Sequence, residues 1–308
     1  MKTEKFAAFI LTHGRPNDVI TYNTLRKHGY TGNIYLIIDN TDKSADKYFY
    51  KYGPEQVIMF DKQKIALKTD QGDNFNDLRT TTHVRNAIFE IAEEMGIEYF
   101  IQLDDDYGAF HFRYIDGLKL AFENIKDLNS VFDSMVNFIK STTVTSICMA
   151  QGGDFIGGAN NEFVVTGIPK RKAMNSFVCS TKRKFMFFSR LNEDVNTYLV
   201  LGSRGVIFLT TPLASLVQSA TQGTKGGMTE TYLDNGTYQK SFFSVMYCPA
   251  FVQLALIGNK TKRIHHHVDW EHAVPCIIDD SYKKLDPMNQ LNIFEPGKLD
   301  SAIDQTLF

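Results

Sequence analysis

The sequence predicts an α/β fold, a mainly parallel sheet flanked by helices, on three observations. The first half of the chain alternates short apolar runs with segments of helical period, the pattern of strands joined by crossover helices. The apolar runs end in polar clusters, at Thr12 to Arg15, at Asp39 and at Asp104 to Asp106. In sheets of this kind ligands bind beyond the carboxyl ends of the strands. Finally, 43% of the 308 residues are hydrophobic, including 24 Phe and 14 Tyr, which is enough apolar material to cover both faces of a large sheet.

Each element follows from a local signal. Phe6 to Leu11 is a short apolar run that stops at Thr12-His13-Gly14-Arg15-Pro16 and reads as a first buried strand. A helix runs from a cap at Asn17 or Asp18 through Ile20 and Leu25 toward His28, and Gly29 stops it. Ile34 to Ile38 is the second strand, and Val57-Ile58-Met59 the next strand-like piece. Lys68 to Asn76 is polar and reads as a loop. Thr82 to Met95 has Val84, Ala87, Ile88, Ile91 and Ala92 on one side of a helix that Gly96 ends. Tyr99 to Leu103 is a strand carrying Asp104-Asp105-Asp106 at its end. The second half is less regular. Leu128 to Lys140 reads as a helix, Val144 to Ala150 as a strand, Val195 to Leu201 as a helix, and Leu199 to Thr211 contains another strand. The stretch TQGTKGGMTETYLDNGTYQK reads as loop.

Composition excludes several classes. A net charge of -2 gives no global reason to bind DNA or acidic membranes, so such contacts would need local basic patches. No apolar run approaches the roughly 20 residues of a spanning helix. The opening MKTEKFAAFILTHGRP has too short an apolar stretch, and no small-residue cleavage site, for a signal peptide. Cys148, Cys179, Cys248 and Cys276 are scattered without a CxxC, which argues against a zinc cluster or a disulfide framework. A reducing cytoplasm is the expected compartment.

Three adjacent carboxylates repel one another, so their placement asks for a cause. At an extended strand end, residues two apart face the same side, so Asp104 and Asp106 can converge on one cation. Hard oxygen ligands suit Mg²⁺ or Mn²⁺, which bind through one or two carboxylates plus substrate phosphates. The alternative is a solvated acidic turn.

The stretch RNAIFEIAEEMGIEYFIQLDDD resembles the centre of the GT-A glycosyltransferase fold, where a helix precedes the strand carrying the DxD motif. The opening AFILTHGRP, TLRKHGY and NIYLIIDN resembles that fold's first strand, helix and second strand. The resemblance implies a GT-A-like, Rossmann-like domain, with residues 1–125 binding a nucleotide sugar and residues 126–308 carrying the acceptor site and the catalytic base. It implies Mn²⁺ or Mg²⁺ as cofactor and a nucleotide-sugar donor, a UDP-sugar. Thr12, His13, Arg15 and Asp39 would surround the base and ribose. Arg85 and Asn86 would approach the nucleotide or donor sugar, with Asp105 in the same binding set. Asp104 would face the ribose or the metal, and Asp106 would be the firmest metal ligand. Surface salt bridges, worth little, are the alternative for Arg15 and Arg85.

LNEDVNTYLVLGSRG resembles the Glu-Asp motif that follows the metal site in many inverting members of the fold. Glu193-Asp194 opens a helix, where carboxylates are favoured in any case. The functional reading makes Asp194 the general base for the acceptor hydroxyl, with Glu193 as the substitute; a retaining enzyme would need neither. GT-A enzymes often take a late metal ligand, frequently His, from the C-terminal part. Strand alternation would let His265 and His267 serve together, and the alternative is an exposed polar turn.

Two basic clusters, Lys170-Arg171-Lys172 and Lys182-Arg183-Lys184, lie beside Phe177, Phe185, Phe187 and Phe188. Basic groups contact phosphates and aromatics stack on an extruded base; a solvated face over apolar strands explains the pattern equally. THGRP, DDD, Glu-Asp and KGGMTETYLDNGTYQKSFFSVMYCPAF together resemble phage DNA-hypermodification glycosyltransferases of the TET/JBP-associated type. That resemblance implies hydroxymethylpyrimidines in DNA as acceptor, a bacterial host cytoplasm as setting, and Lys225, Gly226, Gly227, Thr229 and Tyr232 at the acceptor pocket. Small-molecule, glycan and protein acceptors stay open. Rival classes are weaker. A sugar nucleotidyltransferase needs a Gly-rich phosphate loop, of which THGRPND is a poor version. A metal-dependent hydrolase lacks an HExxH or a two-metal spacing. A non-catalytic DNA-binding module leaves the acidic triplet and Glu-Asp unexplained.

Overall fold

The computed structural model describes residues 6–166, 176–218, 231, 234, 236, 238–258, 262–273 and 277–278. Its centre is a mixed nine-stranded sheet. The strands are β1 (Phe6–Leu11), β2 (Asn33–Asp39), β3 (Val57–Phe60), β4 (Tyr99–Asp104), β5 (Tyr107–Asp116), β6 (Lys119–Asn124), β7 (Ser146–Gln151), β8 (Phe177–Ser180) and β9 (Phe208–Gln218). They lie in the order β3-β2-β1-β4-β8-β7-β9-β5-β6. The first four pair in parallel, as the alternating sequence predicts. Helices α1 (Ile20–Lys27), α2 (Ala45–Tyr52), α3 (Lys62–Ala66) and α4 (Thr82–Glu94) supply the crossovers.

The sheet is buried on both faces, and β1 shows how. Ala7, Phe9 and Leu11 enter one apolar cluster, whereas Phe6, Ala8 and Ile10 enter the other. Period-two alternation sends successive side chains to opposite faces, so a strand buried twice reads as continuously apolar. Phe100 of β4 is fully buried with its ring edge-on to Phe9 and Phe89. Burying a ring of this size is worth about 1.5–3 kcal/mol.

The second half departs from a plain parallel sheet. β8 runs antiparallel between β4 and β7, and β5 turns back from Asp106 to pair with β9 and β6. α5 (Leu128–Ser141) and α6 (Glu162–Thr166) flank this half. α7 (Glu193–Ser203) is buried almost all round, as befits a helix inside the core. α8 (Gln239–Tyr247) and α9 (Trp270–Ala273) pack on it. β10 (Val252–Ile257) and β11 (Arg263–Val268) form a separate antiparallel hairpin. The large sheet runs across residue 125, with β5 and β6 beside β9.

Several sequence expectations are corrected. α1 begins after Val19 and has no side-chain cap from Asn17 or Asp18. The helix of the Glu-Asp motif continues to Ser203, so the strand expected within Leu199 to Thr211 starts only at Phe208. Phe177, Phe185 and Phe187 are buried in the core and are not available to stack on a base. Lys182 and Lys184 pair with Glu98 and Glu93, and Arg183 donates to the carbonyls of Ile139 and Val144. Lys170-Arg171-Lys172 lies outside the described residues. Among the described residues, no helix is long and apolar enough to cross a membrane.

Candidate active site

The expected site residues gather where β1, β2 and β4 end. Leu11 is level with Ile37 of β2 and with Asp104 of β4, so Thr12, Asp39 and the Asp triplet leave the sheet along one edge.

Asp39 organises one side of this edge. His13 Nδ1 lies 2.8 Å from its Oδ2, Lys62 Nζ donates to the same oxygen at 3.1 Å, and the Thr41 amide donates to Oδ1 at 3.0 Å. Burial alone would raise the Asp39 carboxyl. Hydrogen bonds from His13 and Thr41 and the Lys62 charge outweigh it and hold the group below the usual carboxylate range. His13 is pushed up, first by its bond to Asp39 and against burial. Gly14, at φ +74, takes the left-handed conformation that glycine adopts at little cost, and its amide donates to Asp42 Oδ2 at 2.7 Å.

Each carboxylate of the triplet has a different partner. Asp105 is buried and takes a two-pronged grip from Arg15, Nε to Oδ2 at 2.8 Å and Nη2 to Oδ1 at 2.7 Å. Tyr48 steadies that arginine's backbone: its hydroxyl accepts the Arg15 amide at 3.0 Å and lies 2.9 Å from Thr12 Oγ1. Gln218 Nε2 donates to Asp106 Oδ2 at 3.4 Å, because β9 sets Gln218 opposite Tyr107. Thr21 of α1 fixes the turn, its Oγ1 donating to the Asp104 carbonyl at 2.6 Å and accepting the Tyr107 amide at 2.9 Å. Burial, against the opposing Arg85, lifts the Asp104 carboxyl to about 7, and neighbouring Asp106, Glu193 and Asp105 add to the rise. Burial and then Asp105 lift Asp106 to about 6.

Arg85 joins the triplet to the Glu-Asp motif. Its side chain is 1% exposed; Nη2 meets Asp104 Oδ1 at 2.8 Å and Nε donates to Glu193 Oε1 at 3.0 Å. The guanidinium also lies over the rings of Phe177 and Phe187, at 5.5 and 5.7 Å. Burial works against its charge, but Asp104 and Glu193 outweigh it, so it stays protonated. Glu193 is therefore committed to Arg85. Asp194, one residue on, accepts the Val195 amide on Oδ1 at 2.8 Å.

The turn into α7 is strained. Ser189 and Asn192 have φ of 79 and 60, a region that non-glycine residues adopt at a cost of about 1–3 kcal/mol. Surrounding bonds enforce it. Thr82 Oγ1 donates to the Ser189 carbonyl, the Ser189 amide donates to Asp70 O at 2.8 Å, and Asn192 Nδ2 donates to Ser244 Oγ at 2.7 Å. Buried Arg190 adds ion pairs to Asp73 at 2.9 Å and Asp77 at 3.3 Å. The polar loop before α4 thus serves as the clamp that aims Glu193 and Asp194.

Other expected residues are placed elsewhere. The Asn86 amide is spent inside the protein, donating to Thr69 Oγ1 and the Phe187 carbonyl and accepting the Phe187 amide. His265 and His267 lie on β11, paired with Ala255 and Gln253. Among the described residues no three His, Cys, Asp or Glu side chains form a preassembled metal-holding group. Lys225, Gly226, Gly227, Thr229 and Tyr232 lie outside the described residues. Thr21, Tyr48, Lys62, Arg190 and Gln218 were missed by sequence reasoning. Only the buried cation Lys62, just past a strand that ends beside β2, left a local signal.

The chain belongs to the TET-associated glycosyltransferase family, whose model matches residues 6–227. It is accordingly a glycosyltransferase, with the α/β fold that the sequence predicts. Among solved structures it is similar to glucosyl-3-phosphoglycerate synthase from Mycobacterium tuberculosis in complex with Mn²⁺, UDP and phosphoglyceric acid. That match has 7% identity and a TM-score of 0.45, over 86% of this chain and 87% of that chain. It is also similar to residues 1-349 of S. aureus TarS in complex with UDP-GlcNAc, at 13% identity and a TM-score of 0.44, over 79% of this chain and 66% of that chain. No curated protein sequence matches the chain.

Proposed function

We propose that the chain transfers a sugar from a UDP-sugar to a hydroxymethylpyrimidine in DNA, with Mn²⁺ or Mg²⁺ held by Asp104 and Asp106 and with Asp194 as general base. The observation that carries this reading is Arg85, whose buried guanidinium draws the strand-end carboxylate Asp104 and the helix-start carboxylate Glu193 into one centre. The donor set suits the cation. Asp104, Asp105, Asp106 and Glu193 face two arginines, Arg15 and Arg85, leaving a formal excess of negative charge in a largely enclosed place. Hard carboxylate oxygens at such a site fit Mg²⁺ or Mn²⁺. When bound, the ion supplies positive charge against the donor diphosphate and its leaving oxygen.

The residues of the chain do the rest. Arg15 and Arg85 hold Asp105 and Asp104 in place. His13 and Lys62, both on Asp39, form a polar wall at the end of β2 for the nucleoside. Asp194 takes the proton of the acceptor hydroxyl, whose oxygen bonds to the anomeric carbon as the bond from that carbon to the diphosphate oxygen breaks. The diphosphate leaves with the electron pair, and a single displacement of this kind inverts the anomeric centre. With Glu193 engaged by Arg85, Asp194 is the carboxylate assigned to the proton.

Family membership and the resemblance of the later motifs support the DNA acceptor. Within Lys182-Arg183-Lys184, Arg183 is spent on the carbonyls of Ile139 and Val144, whereas Lys182 and Lys184 lie in exposed ion pairs. The test is a panel of nucleotide sugars offered with unmodified and hydroxymethylated DNA in the presence of Mn²⁺, read by nucleoside mass spectrometry. A glycosylated hydroxymethylpyrimidine supports the reading. Transfer to a small hydroxylated molecule, with none to any modified DNA, removes the DNA acceptor and leaves the glycosyltransferase.

A further inference from the structure

The far edge of the sheet carries an interaction surface separate from the site. β6 is the last strand, and among the described residues no strand pairs with its outer side. An open edge is a row of unused backbone donors and acceptors, and proteins usually blunt it with charge, a bulge or a cover. The β5–β6 hairpin instead shows water large apolar side chains. Leu118 is 94% exposed, Phe122 54% and Ile115 52%, and Phe112 and Tyr114 are exposed as well.

The edge sequence, Lys119-Leu120-Ala121-Phe122-Glu123-Asn124, complements itself. Laid antiparallel against a second copy with Ala121 on a two-fold axis, Lys119 falls opposite Glu123, Leu120 opposite Phe122, and Ala121 opposite Ala121. The five positions from Lys119 to Glu123 then meet compatible partners. Two ion pairs and the small alanines share one face, and two apolar pairs share the other, as strand alternation requires. Shifting the register by one residue sets Leu120 opposite Glu123 and loses the match. Lys119 and Glu123 are both exposed, and Glu123 accepts the Tyr114 hydroxyl at 3.4 Å within its own hairpin. Lys119 alone would protect the edge; Glu123 four residues on converts that protection into a recognition code.

We propose that the protein forms a two-fold dimer by antiparallel pairing of β6 with β6 of a second copy, joining two nine-stranded sheets into one. Such an interface is isologous and closes on itself. The backbone bonds supply adhesion and the side-chain pairs set register. The occupant is a second copy because the code is written twice in one strand.

The full chain is examined by sedimentation velocity between about 1 and 100 μM at low salt, with circular dichroism to confirm the fold of each variant. The wild type sediments as a dimer. K119E sets Glu opposite Glu at two symmetric positions and E123K sets Lys opposite Lys. Each weakens the dimer by about tenfold or more, and K119E/E123K together restore it with the charges exchanged. A121K, which opposes two lysines on the axis, dissociates it without touching the ion pairs. A wild type monomeric at 100 μM overturns the proposal. So does a dimer indifferent to K119E, E123K and A121K, or a double variant no tighter than the singles.

Discussion

Two carboxylate clusters stand at neighbouring strand ends, and the protein treats them oppositely. At the end of β2, Asp39 receives His13, Lys62 and Thr41, and its carboxyl is held below the usual range. At the end of β4, Asp104 and Asp106 are lifted to about 7 and about 6. Burial pushes the carboxyls up at both places, so burial does not distinguish them. The difference is the supply of positive charge. Asp39 has a lysine and a histidine, whereas the β4 end has two arginines for Asp104, Asp105, Asp106 and Glu193, and Asp105 takes the ion pair with Arg15. A cluster satisfied by its own protein is built for shape. A cluster left short of positive charge suits a partner that brings it, as the proposed function requires.

Adding that charge from outside gives the largest expected effect. Mn²⁺ or Mg²⁺ restores sugar transfer after EDTA has abolished it. D106N, still folded, loses transfer by about a thousandfold, in the range of several kcal/mol of lost charge stabilisation. The sign of the pH dependence follows from the raised carboxyls. A group whose folded pKa lies above its unfolded value contributes stability below the unfolded value, and that contribution is lost as pH rises through the folded one. The metal-free protein therefore loses stability as pH climbs from the ordinary carboxylate value near 4 up to about 6 to 7. The rise in Tm on adding Mn²⁺ should be greater at pH 8 than at pH 6, and small at both in D106N. An equal rise at both pH values would put the two clusters on the same footing.

The next effect tests the cation that the protein supplies itself. Arg85 is fully enclosed between Asp104 and Glu193. R85M leaves two buried carboxylates without their counter-charge, at a cost of about 3–5 kcal/mol, measured by urea unfolding. R85M/E193Q should recover part of it. R85K should not rescue fully, because an ammonium lacks the forked geometry that reaches both carboxylates. A loss below about 1 kcal/mol in R85M would mean that water already serves the pair.

A smaller loss is expected at Asp194. D194N retains UDP binding and its fold but transfers sugar about a hundredfold more slowly, the usual cost of a positioned base. Single-turnover rates at saturating donor separate this from weakened binding. Near-normal transfer would shift the role to Glu193 or point to retention of configuration.

The contrast between the clusters was half visible in the sequence. Asp39 and the triplet announced themselves because each ends an apolar run, and α4 because its period is local. What joins them was not visible. Arg85 and Glu193 are 108 positions apart, and nothing near either names the other. β8 is only four residues long and runs against its neighbour, so the crossover rhythm that revealed β1 to β4 does not extend to it. The phenylalanines around Lys182-Arg183-Lys184 looked like a stacking surface. They are core because alternation sends Phe185 and Phe187 inward, and that alternation was the available signal. The β5–β6 hairpin carries Phe, Tyr and charge on both faces, a pattern without a clear period.

The smallest effect lies at the satisfied cluster, where it sharpens the comparison most directly. His13 is partly exposed and sits 2.8 Å from Asp39 Oδ2 and 3.7 Å from Asp42. The bond to Asp39 raises its pKa, burial and Lys62 oppose the rise, and the charges of Asp39 and Asp42 support it. Its titration followed by NMR should have a midpoint above 6.5. In D39N the supporting bond and charge go while burial and Lys62 stay, so the midpoint should fall. Because the folded pKa is raised, the pair's contribution to stability is complete below the unfolded value near 6.5 and is lost as pH rises through the folded one. Solvent screening of the exposed imidazole keeps that contribution under about 1 kcal/mol. Mn²⁺ should leave the His13 midpoint in place while it shifts the behaviour of Asp104 and Asp106. A His13 midpoint that ignores D39N, or that moves with Mn²⁺ as far as the β4 carboxylates do, would show that the two strand ends form a single electrostatic unit.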